Sequence, residues 1–388
     1  MKSLKRDQLM IKHFLTASAL LFALSSIASA VNIPVPEAPD INASAYILID
    51  HSTGKVVAEK NIDETMDPAS ITKLMTAYVV YAALERGDIN LSDDVLISEK
   101  AWRAIGSRMF VEVNKRVNLD LLLQGLIVQS GNDASIALAE HIAGDEASFA
   151  DLMNHTAQQL DLKNTHFVNA TGLTDPEHYT TARDIALLSS AIIRDFPKEY
   201  KRYKQKQFTY NGIKQYNRNK LLWRDATVDG LKTGHTEAAK YCLASSALRD
   251  DMRLISVVLG APNKEARATQ SQSLLNYGFR FYKTSKLYSA GQQLIEKKVR
   301  FGVEKQLSLG VANDIVVTTA RSHYKNIKPS IELAAEITAP ISKGDVLGTL
   351  RIQLDEETLA EHPLVALEDI AEGSWWQKLM ERITGLAE

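Results

Sequence analysis

From residue 44 onward the chain changes hydrophobic rhythm several times. Two short apolar runs, 46–50 and 55–59, flank a Ser-Thr-Gly turn and predict a β-hairpin. Apolar positions at three- and four-residue spacing then predict helices over 71–85, 119–129, 133–144 and 181–196. Strand patterns return at 228–234, 241–248 and 252–261, followed by a helical pattern over 263–282. Strands at both ends with helices between them predict one antiparallel sheet flanked by helices, its sequence-distant ends meeting. Beyond 282 the pattern becomes short segments of period-two alternation broken by Gly, Asn or Pro, as in "KQLSLGV", "DIVVTTA" and "DVLGTLRIQLD". These predict an all-β module, a small sandwich.

The two ends follow other patterns. Lys2, Lys5, Arg6 and Lys12 precede an apolar run over 14–27, and Ala28-Ser29-Ala30 follows. This is the three-part pattern of a secretory leader, and the run is too short and serine-rich to span a membrane well. The mature chain is expected to start near Val31. In "EGSWWQKLMERITGLAE", Trp375, Trp376, Leu379, Met380, Ile383 and Leu386 fall on one helical face, the pattern of a helix lying in a membrane interface. Packing against the β module or another chain is the alternative. Lys378 and Arg382 are balanced by Glu381 and Glu388, so such anchoring would rest on apolar burial, at ~25 cal/mol per Å². The expected organisation is leader 1–30, lead-in 31–43, a main domain 44–282, a β domain 283–368 and an amphipathic helix 369–388.

Composition narrows the class further. A 45% apolar content is ample for a large packed core, and a net charge of −2 gives no reason to expect a nucleic-acid partner. The single cysteine, Cys242, sits in an apolar run and reads as a buried structural thiol without an intrachain disulfide. The sequence contains no metal-ligand cluster and no glycine-rich phosphate loop, so neither metal nor cofactor is expected.

Three triplets in the main domain could carry chemistry: Ser70 with Lys73, Ser130-Gly131-Asn132, and Lys232-Thr233-Gly234. Each is weak alone, since S-x-x-K recurs by chance and a surface lysine on a helix explains it. Their order and local structure change that. Ser70 falls at a predicted helix start, where free N–H groups favour negative charge, and Lys73 shares its face. A serine hydroxyl needs a base to take its proton, and a lysine serves only if burial or a second cation lowers its pKa. Lys232 could supply that cation if its strand lies beside the helix start. Ser130-Gly131-Asn132 breaks two apolar helices and would project short polar side chains for a proton relay and an amide clamp; a plain capping turn built on Asp133 fits equally well. Gly234 suits a peptide adding alongside the strand, and Lys232 and Thr233 suit a carboxylate. Backbone N–H groups at Ser70 and on this strand could form an oxyanion hole. His235 reads better as a pocket wall or backbone donor than as part of a serine–histidine triad, and His166 and His178 read as structural.

S-x-x-K with K-T-G is a known signature of penicillin-binding proteins and class A β-lactamases. With "DPASITKLMT", "VQSGNDASIALAEHIAG", "NRNKLLW" and "VDGLKTGHTEAAKYCLASSA", nearly the whole chain resembles the low-molecular-mass D-alanyl-D-alanine carboxypeptidases of bacterial cell walls, the penicillin-binding protein 5 type. The resemblance implies an α+β fold: a penicillin-binding/β-lactamase-like transpeptidase domain, then a small all-β domain and a C-terminal amphipathic helix. It implies that Ser70 attacks the bond between two D-alanines of a peptidoglycan stem peptide, Lys73 takes its proton, and Ser130 relays a proton to the leaving D-alanine. Asn132 would hold the substrate amide. Lys232 and Thr233 would grip the terminal carboxylate with help from Arg218, beside Gly234. The N–H groups of Ser70 and His235 would hold the oxyanion. It further implies covalent inhibition by β-lactam antibiotics and a location on the periplasmic face of the cytoplasmic membrane, in peripheral contact through the tail. The S-G-N triplet differs from the S-D-N of class A β-lactamases, and no E-x-x-L-N motif occurs between Ser130 and Lys232. A DD-endopeptidase would use the same residues, and a non-catalytic penicillin-binding sensor or scaffold would need none of them.

Overall fold

The computed structural model describes residues 34–333 and 336–384, so the leader expected at 1–30 and the last four residues of the tail lie outside the described residues. The main sheet is built from β1 (Ala45–Asp50), β2 (Val56–Lys60), β3 (Val228–Thr236), β4 (Lys240–Arg249) and β5 (Met252–Ala261). Its order is β2-β1-β5-β4-β3, every pair antiparallel, and β1 lies against β5 with Ala45 opposite Leu259 and Asp50 opposite Leu254. The two ends of this domain therefore meet at the β1–β5 pairing, as the strand pattern predicts.

Both faces of the sheet are covered, which is why β1 is buried along its whole length instead of alternating. Ile47 and Ile49 face a large cluster of helical side chains, while Leu48 and Leu254 face the other way. Four of these helices are α1 (Lys73–Arg86), α2 (Asn132–Ala143), α3 (Glu146–Gln159) and α4 (Ala182–Asp195). α1 stops at Gly87, whose φ of 77° is the left-handed conformation that ends helices. On the opposite face lies α5 (Lys264–Phe281), and a Cβ on its Gly278 would stand 2.5 Å from Leu254 Cδ1. Only glycine lets the helix sit this close to the sheet.

Three local features depart from the expected pattern. Helix α3 was not predicted, because only Phe149, Ala150, Met153 and Ala157 among its apolar residues are buried and the rest of the segment is polar. Its start is nonetheless marked by Asp145, whose carboxylate accepts the Ser148 N–H at 2.8 Å. The helix predicted over 119–129 is α-helical only to Gln124 and finishes as a π-helical turn over Gly125–Gln129. A small hairpin, Gln207–Tyr210 with Ile213–Tyr216, turns on Asn211-Gly212, both with positive φ. Asn-Gly between short strands is a strong hairpin signal that the periodicity reading passed over.

The second domain begins without a linker, because α5 runs straight into β6 (Tyr282–Tyr288). β6 pairs with Ile315–Ala320, and a five-stranded antiparallel sheet carries the remainder, with Val299, Leu307, Leu309, Ile341 and Leu364 in one of its cores. The buried Asp50 carboxylate ties the domains together. It accepts from the Ser52 and Thr53 N–H groups at 3.0 Å each and from the Thr284 hydroxyl at 2.6 Å, and Thr318 bridges Thr284 and Thr53. Cys242 is buried in β4, and burial pushes its thiol up to about 11, in line with a structural role. The last described helix, α6 (Trp375–Thr384), is held by its polar side: Glu381 accepts from Lys305 at 2.8 Å and from the Phe301 N–H at 3.1 Å.

Candidate active site

Ser70 lies in a 3-10 turn, Ala69–Thr72, that leads into α1. At three residues per turn, positions i and i+3 eclipse each other. Lys73 therefore points back along the turn, and its Nζ donates to Ser70 Oγ at 3.0 Å. The turn is forced into this shape from three sides. Ala69, fully buried, has φ +47°, a conformation costly for a residue with a Cβ, and its N–H is held by Asp67 Oδ1 at 2.7 Å. Gly172, with φ +79°, lies so near that a Cβ there would stand 1.8 Å from Ala69 O. A Cβ on Gly234 would meet Pro68 O at 3.0 Å and Ala69 Cβ at 3.1 Å. The absent side chain of Gly234 thus makes room for the chain's own serine turn. The sequence suggests a peptide alongside the strand as the neighbour that needs this space; the near neighbours in the structure are Pro68 and Ala69, and Gly234 also borders the cleft.

Lys73 is buried, and two further acceptors surround its amine: Asn132 Oδ1 at 2.7 Å and Thr171 O at 2.5 Å. Asn132 is fixed in turn by donating Nδ2 to Ile105 O at 2.7 Å, which leaves one amide hydrogen and one lone pair for a ligand. Ser130 follows the π-helical turn and takes φ +64°, a left-handed strain that aims its hydroxyl at Lys232 Nζ, 2.7 Å away. Lys232 is also buried and donates to Thr233 O at 3.1 Å. The site therefore holds two serine–lysine pairs, one from the helical half and one shared between the helical half and the sheet.

Neither lysine is an ordinary cation. Burial, which penalises the charged form, and then the Arg218 guanidinium lower Lys73 to about 7; Asp133 and Glu146 oppose this. Lys232 is pushed well below the usual lysine range by burial, then by the charges of Lys73, Arg218 and Arg267. Lys73 and Lys232 repel each other, so each favours the neutral form of the other, and Arg218 adds to the positive field on both. An arriving carboxylate would restore the Lys232 charge.

Arg218 donates to Ser107 Oγ at 2.8 Å and lines a cleft of about 670 Å³ with Ser70, Ser130, Asn132, Thr233 and His235. His235 is exposed and stacks on Tyr241, ring centres 4.2 Å apart, and Lys73 is the side chain that hydrogen-bonds Ser70. His178 is buried, accepts from Val168 N–H at 3.1 Å and meets Thr72 Oγ1 at 2.8 Å; burial lowers its pKa to about 4. It pins the segment around Thr171 to the serine turn as a neutral ring.

Several supporting residues lie outside the three triplets, and of these the sequence singles out only Asp133, as a candidate helix cap. Asp133 accepts the N–H groups of Met109, Phe110 and Val111 and so holds the wall beside Asn132. Glu146 accepts from Ala170 N at 3.1 Å and pairs with Lys100 at 2.8 Å, fixing the strand of chain that presents Thr171 O. Arg267, buried, donates to Gly234 O at 2.8 Å. None lies in a triplet; a buried carboxylate or guanidinium within an apolar helix pattern was the available signal. No group of His, Cys, Asp and Glu able to hold a metal occurs among the described residues.

A helix-flanked antiparallel sheet with a serine–lysine pair at the sheet's edge, followed by a β domain, defines an active-site-serine enzyme of the penicillin-binding, transpeptidase-like fold. Residues 32–263 match the family described as D-alanyl-D-alanine carboxypeptidase, and residues 282–372 match the penicillin-binding protein 5 C-terminal domain. The chain is 42% identical to the D-alanyl-D-alanine carboxypeptidase DacA of Escherichia coli K12 over 386 residues, 96% of each chain. It is 43% identical to DacC of the same strain, covering 96% of this chain and 95% of that one. The solved structure of penicillin binding protein 5 from Haemophilus influenzae superposes with a TM-score of 0.82 at 42% identity, covering 87% of this chain and all of that one. Penicillin-Binding Protein D2 from Listeria monocytogenes, solved in an ampicillin-bound form, superposes at 0.58 with 29% identity over 63% of this chain and all of that one. The chain belongs to the family of serine D-alanyl-D-alanine carboxypeptidases.

Gly172→Ala combines a forbidden φ with a collision against Ala69 O. It should lower unfolding free energy by about 1–3 kcal/mol in urea denaturation. It should also slow turnover, because Thr171 O and the serine turn move apart. Unchanged stability and rate would show that the segment tolerates the shift.

Proposed function

We propose that this chain removes the terminal D-alanine of peptidoglycan stem peptides through an acyl-enzyme on Ser70. The observation that carries the mechanism is a buried Lys73 amine, near pKa 7, within 3.0 Å of the Ser70 hydroxyl. Ser70 Oγ attacks the carbonyl of the penultimate D-alanine while Lys73 takes its proton. The N–H groups of Ser70 and His235 receive the oxyanion. The amide C–N bond breaks, Ser130 passes a proton to the departing amine, and D-alanine leaves. Water, with Lys73 again as base, cleaves the ester and returns Ser70. Thr233, Lys232 and Arg218 hold the terminal carboxylate, and Asn132 holds the substrate amide with its remaining donor and acceptor.

A β-lactam takes the place of the dipeptide in the first step; the ampicillin-bound form of the Listeria relative supports this reading. Among the described residues no Asp or Glu lines the cleft to aim a water at the ester, so the penicilloyl-enzyme should persist. The absence of a histidine on Ser70 Oγ favours lysine over triad chemistry.

For location we propose export to the periplasm and peripheral binding to the membrane through α6. Trp375, Trp376 and Ile383 are 62%, 59% and 56% exposed on one face, while Lys378 pairs with Glu372 and Glu381 with Lys305 on the other. Among the described residues no helix is long and apolar enough to cross a membrane.

Incubated with a peptide ending in D-Ala-D-Ala, the mature protein should release D-alanine, and a fluorescent penicillin should label Ser70 durably. Ser70→Ala should lose both, and labelling without D-alanine release would favour a sensor. Because Lys73 acts unprotonated, the acylation rate should climb with rising pH to a plateau, with its midpoint near 7. Arg218→Gln removes a neighbouring cation, raises the Lys73 pKa and should move that midpoint to higher pH in pre-steady-state labelling. A midpoint that stays in place would assign the limb to another group. Deleting residues 373–388 should leave hydrolysis of soluble peptide intact and abolish co-sedimentation with liposomes; a truncated protein that still sediments would assign membrane contact elsewhere.

A further inference from the structure

The cleft carries more positive charge than one terminal carboxylate requires. Among the described residues its lining includes Arg218, Lys220, Lys264 and Arg267 and no aspartate or glutamate, with Lys232 buried behind. Arg218 and Arg267 make their hydrogen bonds to a hydroxyl and to backbone carbonyls, so neither is offset by a carboxylate. Lys264 Nζ, exposed at the start of α5, has no hydrogen-bond or ion-pair partner among the described residues. Lys220 pairs with Glu265 at 3.0 Å, but Arg224 pairs with the same carboxylate, so two cations share one negative charge. Lys220 lies two residues from Arg218 and contacts the first turn of α5, so both lysines belong to the end of the cleft where Arg218 stands. A cleft lined by one sign of charge concentrates its field on an incoming ion of the opposite sign.

We infer that Lys220 and Lys264 form a leaving-group subsite for a second carboxylate, so that the enzyme cleaves D-Ala–X bonds in which X is acidic. X would be a D-residue with a carboxylate side chain. The inference rests on the proposed seating of the terminal carboxylate at Thr233 and Arg218, which puts the leaving group at this end. The chemistry is unchanged: the D-Ala–X amide C–N bond breaks, X leaves as its protonated amine, and water hydrolyses the Ser70 ester. A neutral X such as D-alanine meets Lys220 and Lys264 only as spectators, whereas an acidic X gains an ion pair with each.

The test compares kcat/KM for two otherwise identical peptides ending in D-Ala-D-Ala and D-Ala-D-Glu, for the full-length mature protein and for Lys220→Gln, Lys264→Gln and the double variant. The ratio of D-Glu to D-Ala peptide should fall about two- to five-fold for each lysine removed, the range of an exposed ion pair, and further in the double variant. In the wild type the same ratio should fall as salt rises, since screening acts on the acidic leaving group. Fluorescent penicillin labelling of each variant shows that its serine turn is intact. D-alanine release with a ratio that is equal in wild type and double variant overturns the subsite. No D-alanine release by the wild type overturns the carboxypeptidase reading itself, and the subsite with it.

Discussion

The site depends on the enclosure of one amine. Lys73 Nζ is out of contact with solvent and meets three neutral acceptors, Ser70 Oγ, Asn132 Oδ1 and Thr171 O, but no carboxylate. A lysine with an ionised partner at that distance would stay protonated and be useless as a base. A lysine with no acceptors would leave a buried polar group unsatisfied, at a cost of about 1–3 kcal/mol. Neutral acceptors satisfy the amine without charging it. The surrounding architecture can be read as the means of bringing a helix turn, a helix start and a loop carbonyl within 3.0 Å of one nitrogen.

That convergence explains where small and strained residues fall. Gly172 and Gly234 press on the same short stretch, Pro68 to Ala69, from the loop and from β3. Ala69 and Ser130, the residues before Ser70 and before Gly131, both adopt left-handed backbone conformations. Strain of roughly 1–3 kcal/mol at each is tolerable because the flanking elements are buried and over-determined. The domain as a whole supplies the stability that these positions spend.

Much of the fold was legible, for a physical reason: the main sheet and most helices bury continuous faces, so their periods show. The triplets were legible because the proposed chemistry fixes residue type as well as position. What stayed hidden was of two kinds. Elements that bury few side chains, such as α3 and the Asn211-Gly212 hairpin, leave weak periodicity, although the turn itself carried a signal. Contacts between distant segments leave none. The carbonyl of Thr171 has no sequence signature, and nothing local marks Arg218 as a cation whose field reaches Lys73. The sequence said that Lys73 must be kept neutral; only the arrangement of the halves shows that burial does most of it. Gly234 illustrates the same limit, since a missing side chain is visible in sequence but the neighbour that requires its absence is not.

On the proposed mechanism Arg218 links binding to basicity. In the free enzyme its charge helps to hold Lys73 near 7, so a large share of the amine is already unprotonated at neutral pH. On the proposed binding mode a substrate carboxylate then settles against Arg218 and Thr233 and cancels part of that positive field. The same event that seats the substrate therefore raises the proton affinity of Lys73, at the moment when Ser70 must surrender its proton. A base prepared by a nearby cation would ordinarily be a weak one, because whatever lowers its pKa also weakens its pull. Here the penalty is removed by the ligand itself. Cationic residues at that end of the cleft consequently do more than attract an anion: they make the strength of the base conditional on a carboxylate being present, which favours acylation by a substrate with a free terminus over attack on neutral amides that pass through the same cleft.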